Sequence, residues 1–546
     1  MAYFVLALML SVTVLDAVAD EAQYDFILRN GTVYDGSGGA PFRADVAIDG
    51  DRIAAIGDLS DRRGRAELDV EGLAVAPGFI NVLSWSNLSL LQDGRSMSDI
   101  YQGVTLEVMG EGHSMGPLNE AMVREKRENQ SDIRYDVAWT TLGGYLQHLE
   151  DRGVSTNVAS MVGASTVRQY VIGYEDRPAT ATELGLMQDL VRYSMREGAM
   201  GLSSALVYVP GNFASTEELI ALAGAAAEYD GLYTSHMRNE GKTIFSALDE
   251  FLAIVRGSGI RGEIYHLKVS GKENWDKLEE VIRRIEAARA EGLPVTADIY
   301  PYNASSTGLT IELPGWAREG GHEAMVARLK DPELRPKIAA DMDMIPAEDL
   351  MLTSFENPDL RHLTGKSLAE VAAARGTTPE ETAFDLIIED DSRVGTVRFT
   401  MSEDNIRRKI ALPWVSFCSD SSSQAPEPPF TYAQPHPRGY GAFARLLGKY
   451  VREEQIIPLE AAIHRLTQFP AANLRLKQRG TLEQGYYADI AVFDPQRIAE
   501  RATFTEPHQL AEGMVHVFVN GTPVLRDGEH TGAMPGRFVR GPGYGR

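Results

Sequence analysis

The 546-residue sequence contains a single cysteine, Cys418. One thiol can build neither a disulfide framework nor a metal cluster that several cysteines hold. Positive charge is also scarce, since 53 Lys and Arg stand against 77 Asp and Glu, a formal net charge of -24. So acidic a chain is not expected to bind nucleic acid, because the phosphates would be repelled. The length allows more than one domain with a sizeable core.

Long apolar runs are confined to the N-terminus. Residues 4–15 form an apolar run, and Ala17, Val18 and Ala19 form an A-x-A sequence of the kind that signal peptidase cleaves. No Lys or Arg precedes the run, so an apolar N-terminal tail or anchor is the alternative. We predict that residues 1–19 are a signal peptide and that the mature protein is secreted or periplasmic. No later stretch has the length and apolarity of a stable membrane span.

Short strands separated by turns are predicted at both ends of the chain. Residues 24–75 contain an Asn-Gly turn at Asn30 and an Asp-Gly turn at Asp49, each between apolar alternations that favour hairpins. A similar pattern returns in residues 476–546. We therefore predict a small β-sandwich domain that both chain ends build together.

The body of the chain alternates strand and helix patterns, which predicts a TIM (β/α)8 barrel over residues 76–311 and 398–475. The eight strand candidates are residues 74–84, 104–110, 157–163, 201–208, 231–238, 263–271, 294–302 and 415–421. Residues 312–397 are too many for one helix between the seventh and eighth strands, and we predict an inserted, mostly helical subdomain there, placed to act as a lid.

Two barrel strands end in a histidine followed by a cation. EIYHLKVSG carries His266 and Lys268, and GLYTSHMRNEG carries His236 and Arg238. Side chains two residues apart on a strand face the same way. A lone histidine on an apolar strand is usually a core residue, but two at the mouth of one barrel predict a metal site beside an anion site. Arg238 is either a further cation of that site or a brace for the barrel mouth.

Many motifs in the expected order give the chain a family resemblance that extends over nearly all of it after the leader. The motifs are GFIN, QGVTLEVMGEG, GLSSALVYVPG, SHMRNEG, IYHLKVSG, DIYPYNASSTGL, SFCSDSS, HPRGYGAFARLLG and GTLEQGYYADIAVFD. Together they resemble the amidohydrolase superfamily, and in particular its N-acyl-D-amino-acid deacylases (D-aminoacylases).

The sequence departs from that family at three places. Leu83 and Trp85 stand where the superfamily carries the H-x-H of strand one, and Ala164 replaces a histidine at strand three. The family's bridging cysteine lies in a TGNCG run, whereas this chain has MGEGHSMGP, one residue shorter. Aligning the last glycine of each run places Glu111 at the cysteine. The resemblance therefore implies that one of two metal positions is lost.

The resemblance implies that Glu111, His236 and His266 hold one Zn²⁺ per chain. Three protein ligands with a fourth position open are typical of catalytic zinc. Two residues compete with Glu111 as the third ligand. Glu107 lies on the same face of the strand as Glu111 and could also point into the barrel; if it is not a ligand, it would pair with a cation or fill space there. His113 is chemically a good metal ligand, but the direction of its side chain cannot be read from a loop.

The remaining roles also follow from the resemblance. Asp420 would accept a proton and pass it to the leaving nitrogen, and Tyr208 would hold the developing oxyanion. Lys268, Arg438 and Tyr302 would bind the carboxylate of a small-molecule N-acyl amino acid. A helix cap at Asp420 and a solvated cation at Arg438 are the structural alternatives.

We therefore predict a zinc-dependent hydrolase that removes the acyl group from N-acyl-D-amino acids. One alternative is an amidohydrolase that acts on another amide, such as a cyclic imide or a dipeptide-like compound. The other is a catalytically inactive barrel that binds a carboxylate ligand. The residues alone leave open the acyl chain, the side-chain preference, D against L stereochemistry and the oligomeric state.

Overall fold

The computed structural model describes residues 23–546. The predicted signal peptide lies outside this range. Among the described residues, no helix has the length and apolar character of a membrane span.

The strands and helices alternate through the middle of the chain and give way to strands at its ends. The strands are β1 (Tyr24–Val33), β2 (Phe42–Asp49), β3 (Arg52–Gly57), β4 (Gly64–Asp69), β5 (Ala74–Pro77), β6 (Phe79–Ser84), β7 (Val104–Met109), β8 (Asn157–Ser160), β9 (Val162–Gly163), β10 (Gly201–Ala205), β11 (Leu232–His236), β12 (Arg261–Ile264), β13 (Val295–Ile299), β14 (Ser305–Gly308), β15 (Leu350–Ser354), β16 (Gly395–Arg398), β17 (Val415–Phe417), β18 (Ile490–Phe493), β19 (Met514–Val519), β20 (Thr522–Arg526) and β21 (Glu529–His530). The α-helices are α1 (Ser89–Gln92), α2 (Met97–Ile100), α3 (Glu120–Glu128), α4 (Leu142–Arg152), α5 (Ala164–Val171), α6 (Ala181–Glu197), α7 (Thr216–Ala227), α8 (Ile244–Ser258), α9 (Leu278–Ala290), α10 (Gly315–Arg318), α11 (Gly321–Lys330), α12 (Arg335–Asp341), α13 (Leu368–Arg375), α14 (Pro379–Asp390), α15 (Glu403–Ile410), α16 (Arg438–Arg445), α17 (Leu459–Leu466) and α18 (Gln468–Asn473).

Parallel strands form the predicted (β/α)8 barrel. β6, β7 and β8 pair in order, and β9, β10, β11, β12, β13 and β17 continue around the circle. β8 and β9 are two halves of one strand that Met161 interrupts. Main-chain bonds from Trp85 N to Ser421 O and from Asp420 N to Leu83 O, both 3.0 Å, join the first strand to the eighth. These bonds place the ends of strands one and eight side by side at the barrel mouth.

Both chain ends contribute to one branched, nine-stranded sheet, as predicted. β1 pairs with β2, β4 and β5, and β5 pairs with β18, which brings in β19, β20 and β21. The predicted strand 74–84 is thus two strands, one for each domain. They separate at Gly78, where a Cβ would overlap Thr105, so the crossing point between the two sheets requires glycine.

The inserted region has its own apolar core, which includes Leu309, Leu329, Ile338 and Phe384. It contains helices α10 to α14 and also an antiparallel sheet in the order β14-β16-β15. Because β14 pairs with β16, the region begins at Ser305, earlier than the sequence pattern indicated. It stands at the end of the barrel to which the strands point.

Three barrel strands end before the site residues that were predicted to lie on them. β10, β12 and β17 end before Tyr208, His266 and Asp420, which therefore lie on the loops that follow. His266 has a φ of 36° and Asp420 a φ of 48°. His266 and Lys268 do face the same way, with Lys268 Nζ 2.7 Å from His266 Nδ1. A left-handed turn, and not strand alternation, sets the direction of His266.

Candidate active site

A cavity of about 1430 Å³ opens at the C-terminal ends of the barrel strands, between the barrel and the inserted region. Active sites of (β/α)8 enzymes occupy this end of the barrel. The predicted site residues that line it are Glu111, Tyr208, His236, His266, Lys268, Asp420 and Arg438. The structure thus brings together side chains that the sequence distributes over more than 300 residues.

Two glycines aim Glu111 into the cavity after β7. Gly110 and Gly112 have φ values of 102° and 62°. A Cβ at Gly112 would lie 2.5 Å from the Cβ of Ala205. The backbone N–H of Gly112 donates to Ser203 Oγ at 2.7 Å. The turn is therefore closely packed against the neighbouring barrel strand, and it leaves the Glu111 side chain only 2% exposed.

Glu111 lies between the two predicted histidines. Its Oε1 is 2.9 Å from His236 Nδ1 and 3.1 Å from His266 Nε2. One donor atom from each residue lies within 4.8 Å of the other two. Burial raises the pKa of the Glu111 carboxyl, but the two imidazoles lower it by more, so its pKa lies well below the usual range. An anionic carboxylate and two imidazoles are a donor set that fits zinc.

Glu240 is a functional candidate that the sequence reading missed. Its carboxylate lies 3.2 Å from His266 Nδ1, 3.4 Å from His236 Nε2 and 2.8 Å from Lys268 Nζ. Each imidazole thus turns one nitrogen to Glu111 and the other to Glu240, the arrangement in which an outer carboxylate fixes metal-binding histidines. Burial raises the pKa of Glu240, but Lys268 and the histidines depress it well below its usual value. The only feature of the sequence that could have indicated this role is the position of Glu240, four residues after His236.

Glu107, the first rival of Glu111, lies deeper in the barrel and points away from the histidines. It is fully buried and accepts hydrogen bonds from Ser84 Oγ and Thr156 Oγ1, both at 2.8 Å, and from Ser86. Burial raises the pKa of this carboxyl. Hydroxyl groups, rather than the expected cation, therefore satisfy Glu107.

The second rival, His113, lines the cavity but does not join the cluster of Glu111 and the two histidines. Its backbone N–H donates to Glu111 O at 2.6 Å, so it closes the turn after Glu111. Desolvation, helped by Lys126, lowers its pKa to about 4. A neutral imidazole is therefore available beside the site.

Asp420 has both carboxylate oxygens engaged. Oδ1 accepts from Trp85 Nε1 at 3.1 Å, and Oδ2 lies 2.6 Å from Arg438 Nη1. The Arg438 guanidinium in turn lies 4.3 Å from the centre of the Tyr300 ring. Leu83 is fully buried, so the two residues at the H-x-H positions offer this side of the cavity an indole and no metal-binding atom.

The three predicted carboxylate-binding residues are placed differently. Lys268 and Arg438 line the cavity, but each is already paired with a protein carboxylate, Glu240 and Asp420. Tyr302 is buried outside the cavity, where the Arg445 guanidinium lies 4.7 Å from its ring centre. Tyr300, two residues earlier, lines the cavity instead.

Tyr208 stands over His236, with ring centres 5.4 Å apart and planes nearly perpendicular. Its hydroxyl lies 2.8 Å from Thr307 Oγ1 of the inserted region. Burial raises the pKa of Tyr208 to about 12, which keeps the phenol protonated and able to donate. The position suits a hydrogen bond to a ligand atom near the histidines.

Arg238 is held by the protein through four hydrogen bonds. Its Nε and Nη2 lie 2.8 and 2.9 Å from the two carboxylate oxygens of Glu250. Its Nη1 donates to Asn212 O and its Nη2 to Ala214 O, at 2.7 and 2.9 Å. Of its two predicted roles, the contacts support the brace for the barrel mouth.

The chain is similar to known proteins over nearly its whole length. The model of a family described as "Amidohydrolase family" matches residues 66–525. D-aminoacylase from Alcaligenes xylosoxydans xylosoxydans is 35% identical over 525 residues, which cover 95% of this chain and 98% of that protein. The crystal structure of N-acyl-D-glutamate deacylase from Bordetella bronchiseptica, complexed with zinc and a phosphonate inhibitor, is 32% identical with a TM-score of 0.80, over 95% of this chain and 99% of that one. A D-aminoacylase structure with a binuclear metal centre, described as activated by one metal and attenuated by a second, is 34% identical with a TM-score of 0.80, over 95% of this chain and all of that one.

Proposed function

This chain belongs to the amidohydrolase family, and we propose that it is a zinc-dependent hydrolase that removes the acyl group from N-acyl-D-amino acids. The observation that carries the proposal is the convergence of Glu111, His236 and His266 on one point of the cavity. The relatives with D-aminoacylase and N-acyl-D-glutamate deacylase activity support the substrate class. The bond broken would be an amide outside a peptide chain.

Glu111, His236 Nδ1 and His266 Nε2 would hold the zinc. When bound, zinc supplies Lewis acidity, which polarises a carbonyl and makes water a stronger nucleophile at neutral pH. We propose one ion per chain, because Leu83 and Trp85 offer no ligand for a second. Glu240 would keep both imidazoles in the tautomers that ligation requires.

The protein groups would manage the proton and the charge of the acyl-transfer reaction. The Asp420 carboxylate would accept a proton and return it to the departing nitrogen. The Tyr208 hydroxyl would exchange its contact with Thr307 Oγ1 for a hydrogen bond to the carbonyl oxygen as charge develops there. Both residues lie on loops at the barrel mouth, where a substrate in the cavity can reach them.

Lys268 and Arg438 would read the substrate carboxylate, with Tyr300 as the tyrosine that lines their wall. Their ion pairs with Glu240 and Asp420 hold them in place. Lys268→Ala and Arg438→Ala should each raise KM for an N-acyl amino acid strongly, yet lose little more with an uncharged amide analogue. Lys272→Ala, which removes a cavity-rim lysine paired with Asp349, is the control. Equal losses with both substrates would exclude the role.

We also propose that the protein is exported, because residues 1–19 have the run and cleavage sequence of a signal peptide. Sequencing the N-terminus of the protein recovered from cell fractions tests this. A mature chain that begins at Asp20 outside the cytoplasm supports export, and an intact Met1 in the cytoplasm contradicts it.

One experiment tests the main proposal. Matched N-acyl-D- and N-acyl-L-amino acids are screened with protein whose zinc content is measured on the same sample. We expect hydrolysis of D substrates with about one zinc per chain. If the protein hydrolyses only a cyclic imide or a dipeptide-like amide, it is an amidohydrolase with a different substrate. Tight binding of N-acyl amino acids without zinc or turnover would identify a binding protein instead.

A further inference from the structure

We propose that Trp85 is a positioning residue for Asp420: its indole N–H holds one carboxylate oxygen so that the other lone pairs face the substrate. The inference rests on the proposed function, in which Asp420 handles the proton. Trp85 Nε1 lies 3.1 Å from Asp420 Oδ1. A chain whose family places a metal-binding histidine at this position has a hydrogen-bond donor there instead.

The main chain holds the indole where it must be to act. Trp85 N donates to Ser421 O at 3.0 Å, and Ser422 Oγ donates to Trp85 O at 2.8 Å. Both the main-chain N–H and the carbonyl oxygen of Trp85 are therefore hydrogen-bonded to the loop that carries Asp420. The half-buried ring also lines the cavity.

Asp420 needs such a partner because its backbone is strained. Its φ of 48° is unusual for a residue with a Cβ, and strained residues at sites persist only where neighbours hold them. Arg438 holds Oδ2 at 2.6 Å, and Trp85 holds Oδ1. The contact of Arg438 Nη1 with Oδ2 is an ion pair without hydrogen-bond geometry, whereas the hydrogen bond from Trp85 Nε1 to Oδ1 is directional and sets the plane of the carboxylate.

Arg438 and Trp85, the two partners of Asp420, also differ chemically. Arg438 is charged and is proposed to meet the substrate carboxylate, so its pairing with Asp420 changes when substrate binds. The indole is neutral and donates only. Trp85 would thus keep Asp420 in place through the reaction cycle.

The contact can be tested without any substrate. In protein labelled with ¹⁵N-tryptophan, the five tryptophans give five indole N–H resonances. Trp85→Phe should remove one of them, and Asp420→Ala should shift that same resonance strongly. Trp275, whose Nε1 donates to Thr400 O at 2.8 Å, is the matched control, and its resonance should stay in place. If Trp85→Phe does not fold, the other four Trp→Phe variants assign the Trp85 resonance by elimination.

Kinetics then separate positioning from structure. Trp85→Phe should lower kcat about tenfold with KM little changed, since proton transfer contributes to the chemical step. Trp275→Phe should change neither kcat nor KM, and zinc content should match the parent in both variants.

The outcomes distinguish this inference from the proposed function. A parent that hydrolyses no N-acyl amino acid overturns the function, while the indole spectra still decide the contact. An active parent with a Trp85 resonance that ignores Asp420→Ala overturns the inference. So does a folded Trp85→Phe variant with unchanged kcat.

Discussion

The two sides of the cavity floor are built from different chemistry. On the histidine side, the imidazoles of His236 and His266 each lie within 3.4 Å of two carboxylates, those of Glu111 and Glu240. On the tryptophan side, Leu83, Trp85, Asp420 and Arg438 combine a buried alkyl group, an indole and one ion pair. The family resemblance implies metal positions on both sides, yet only the first offers a donor set.

The difference teaches how one half of such a site can be lost while the other half remains. Ligands on the histidine side are stabilised by each other and by Glu240, independently of strand one. Asp420 on the tryptophan side would need a partner once a metal there is lost, and Trp85 and Arg438 supply it. Substitutions on each side test whether metal binding depends on the histidine side alone.

The largest effect is expected for Glu111→Gln. The amide removes the anion that lies between His236 Nδ1 and His266 Nε2, and Glu240 contacts the opposite nitrogen of each ring. Zinc affinity should fall more than about 100-fold, beyond the loss typical of an outer partner, and kcat should fall with it. Titration with a chelator measures the affinity. Glu107→Gln is the control, and if it strips zinc while Glu111→Gln retains it, the assignment of the ligand is wrong.

Asp420→Asn should lower kcat by about 10² to 10⁴ while zinc remains bound. Asparagine keeps the size and one acceptor for Trp85, but it cannot take a proton. Metal analysis and kcat on one sample make the test. If zinc and activity are lost together, Asp420 contributes to metal binding, and the two sides of the cavity floor do not differ in the way described.

Glu240→Gln should weaken zinc binding about 10- to 100-fold, the usual cost of losing an outer carboxylate. Both histidines would lose their second partner, and Lys268 would lose its counter-ion. Excess zinc should restore most of the kcat, in contrast to Glu111→Gln. Unchanged zinc affinity would show that the imidazoles are held by packing alone.

The double change Leu83→His and Trp85→His should raise the zinc content from about one toward two ions per chain at high zinc. It restores two imidazoles on the tryptophan side, next to Asp420. Metal analysis across a zinc titration measures the gain. A single ion at every concentration would mean that more than these two residues separates the two sides.

The smallest effect is a pH dependence of stability in Glu107→Gln. Because burial raises the pKa of Glu107 in the folded chain, the folded state holds this proton more tightly than the unfolded state, whose pKa is about 4.3. The free energy of unfolding of the parent should therefore fall as pH rises above that value, by up to about 1.4 kcal/mol per unit, until the folded pKa is passed. The variant does not titrate there, so it should gain on the parent over this window. Urea unfolding at several pH values measures the difference, and parallel curves would contradict it.

Much of the site could be predicted because the residues that carry chemistry stand at strand ends. His236, His266, Asp420 and Tyr208 follow apolar runs that read as barrel strands, and the barrel edge gathers them. Parity arguments were weaker. They could not separate Glu107 from Glu111, whose directions depend on the positive φ of Gly110 and Gly112. The resemblance pointed to Tyr302 in the IYPY run, but of the two tyrosines in that run Tyr300 lines the cavity.

By itself the sequence determined the composition of the site: which donors exist, which histidines are missing, and that Glu111 is the acid nearest the expected ligand position. Only the tertiary structure decided the partners. Glu240 and Lys268 belong to different strand ends and meet the histidines through loop geometry, and Trp85 meets Asp420 because strand one closes on strand eight. The type of a side chain is known at each position of the sequence. The contact between Trp85 and Asp420, which are 335 positions apart, depends on how all the barrel strands pair.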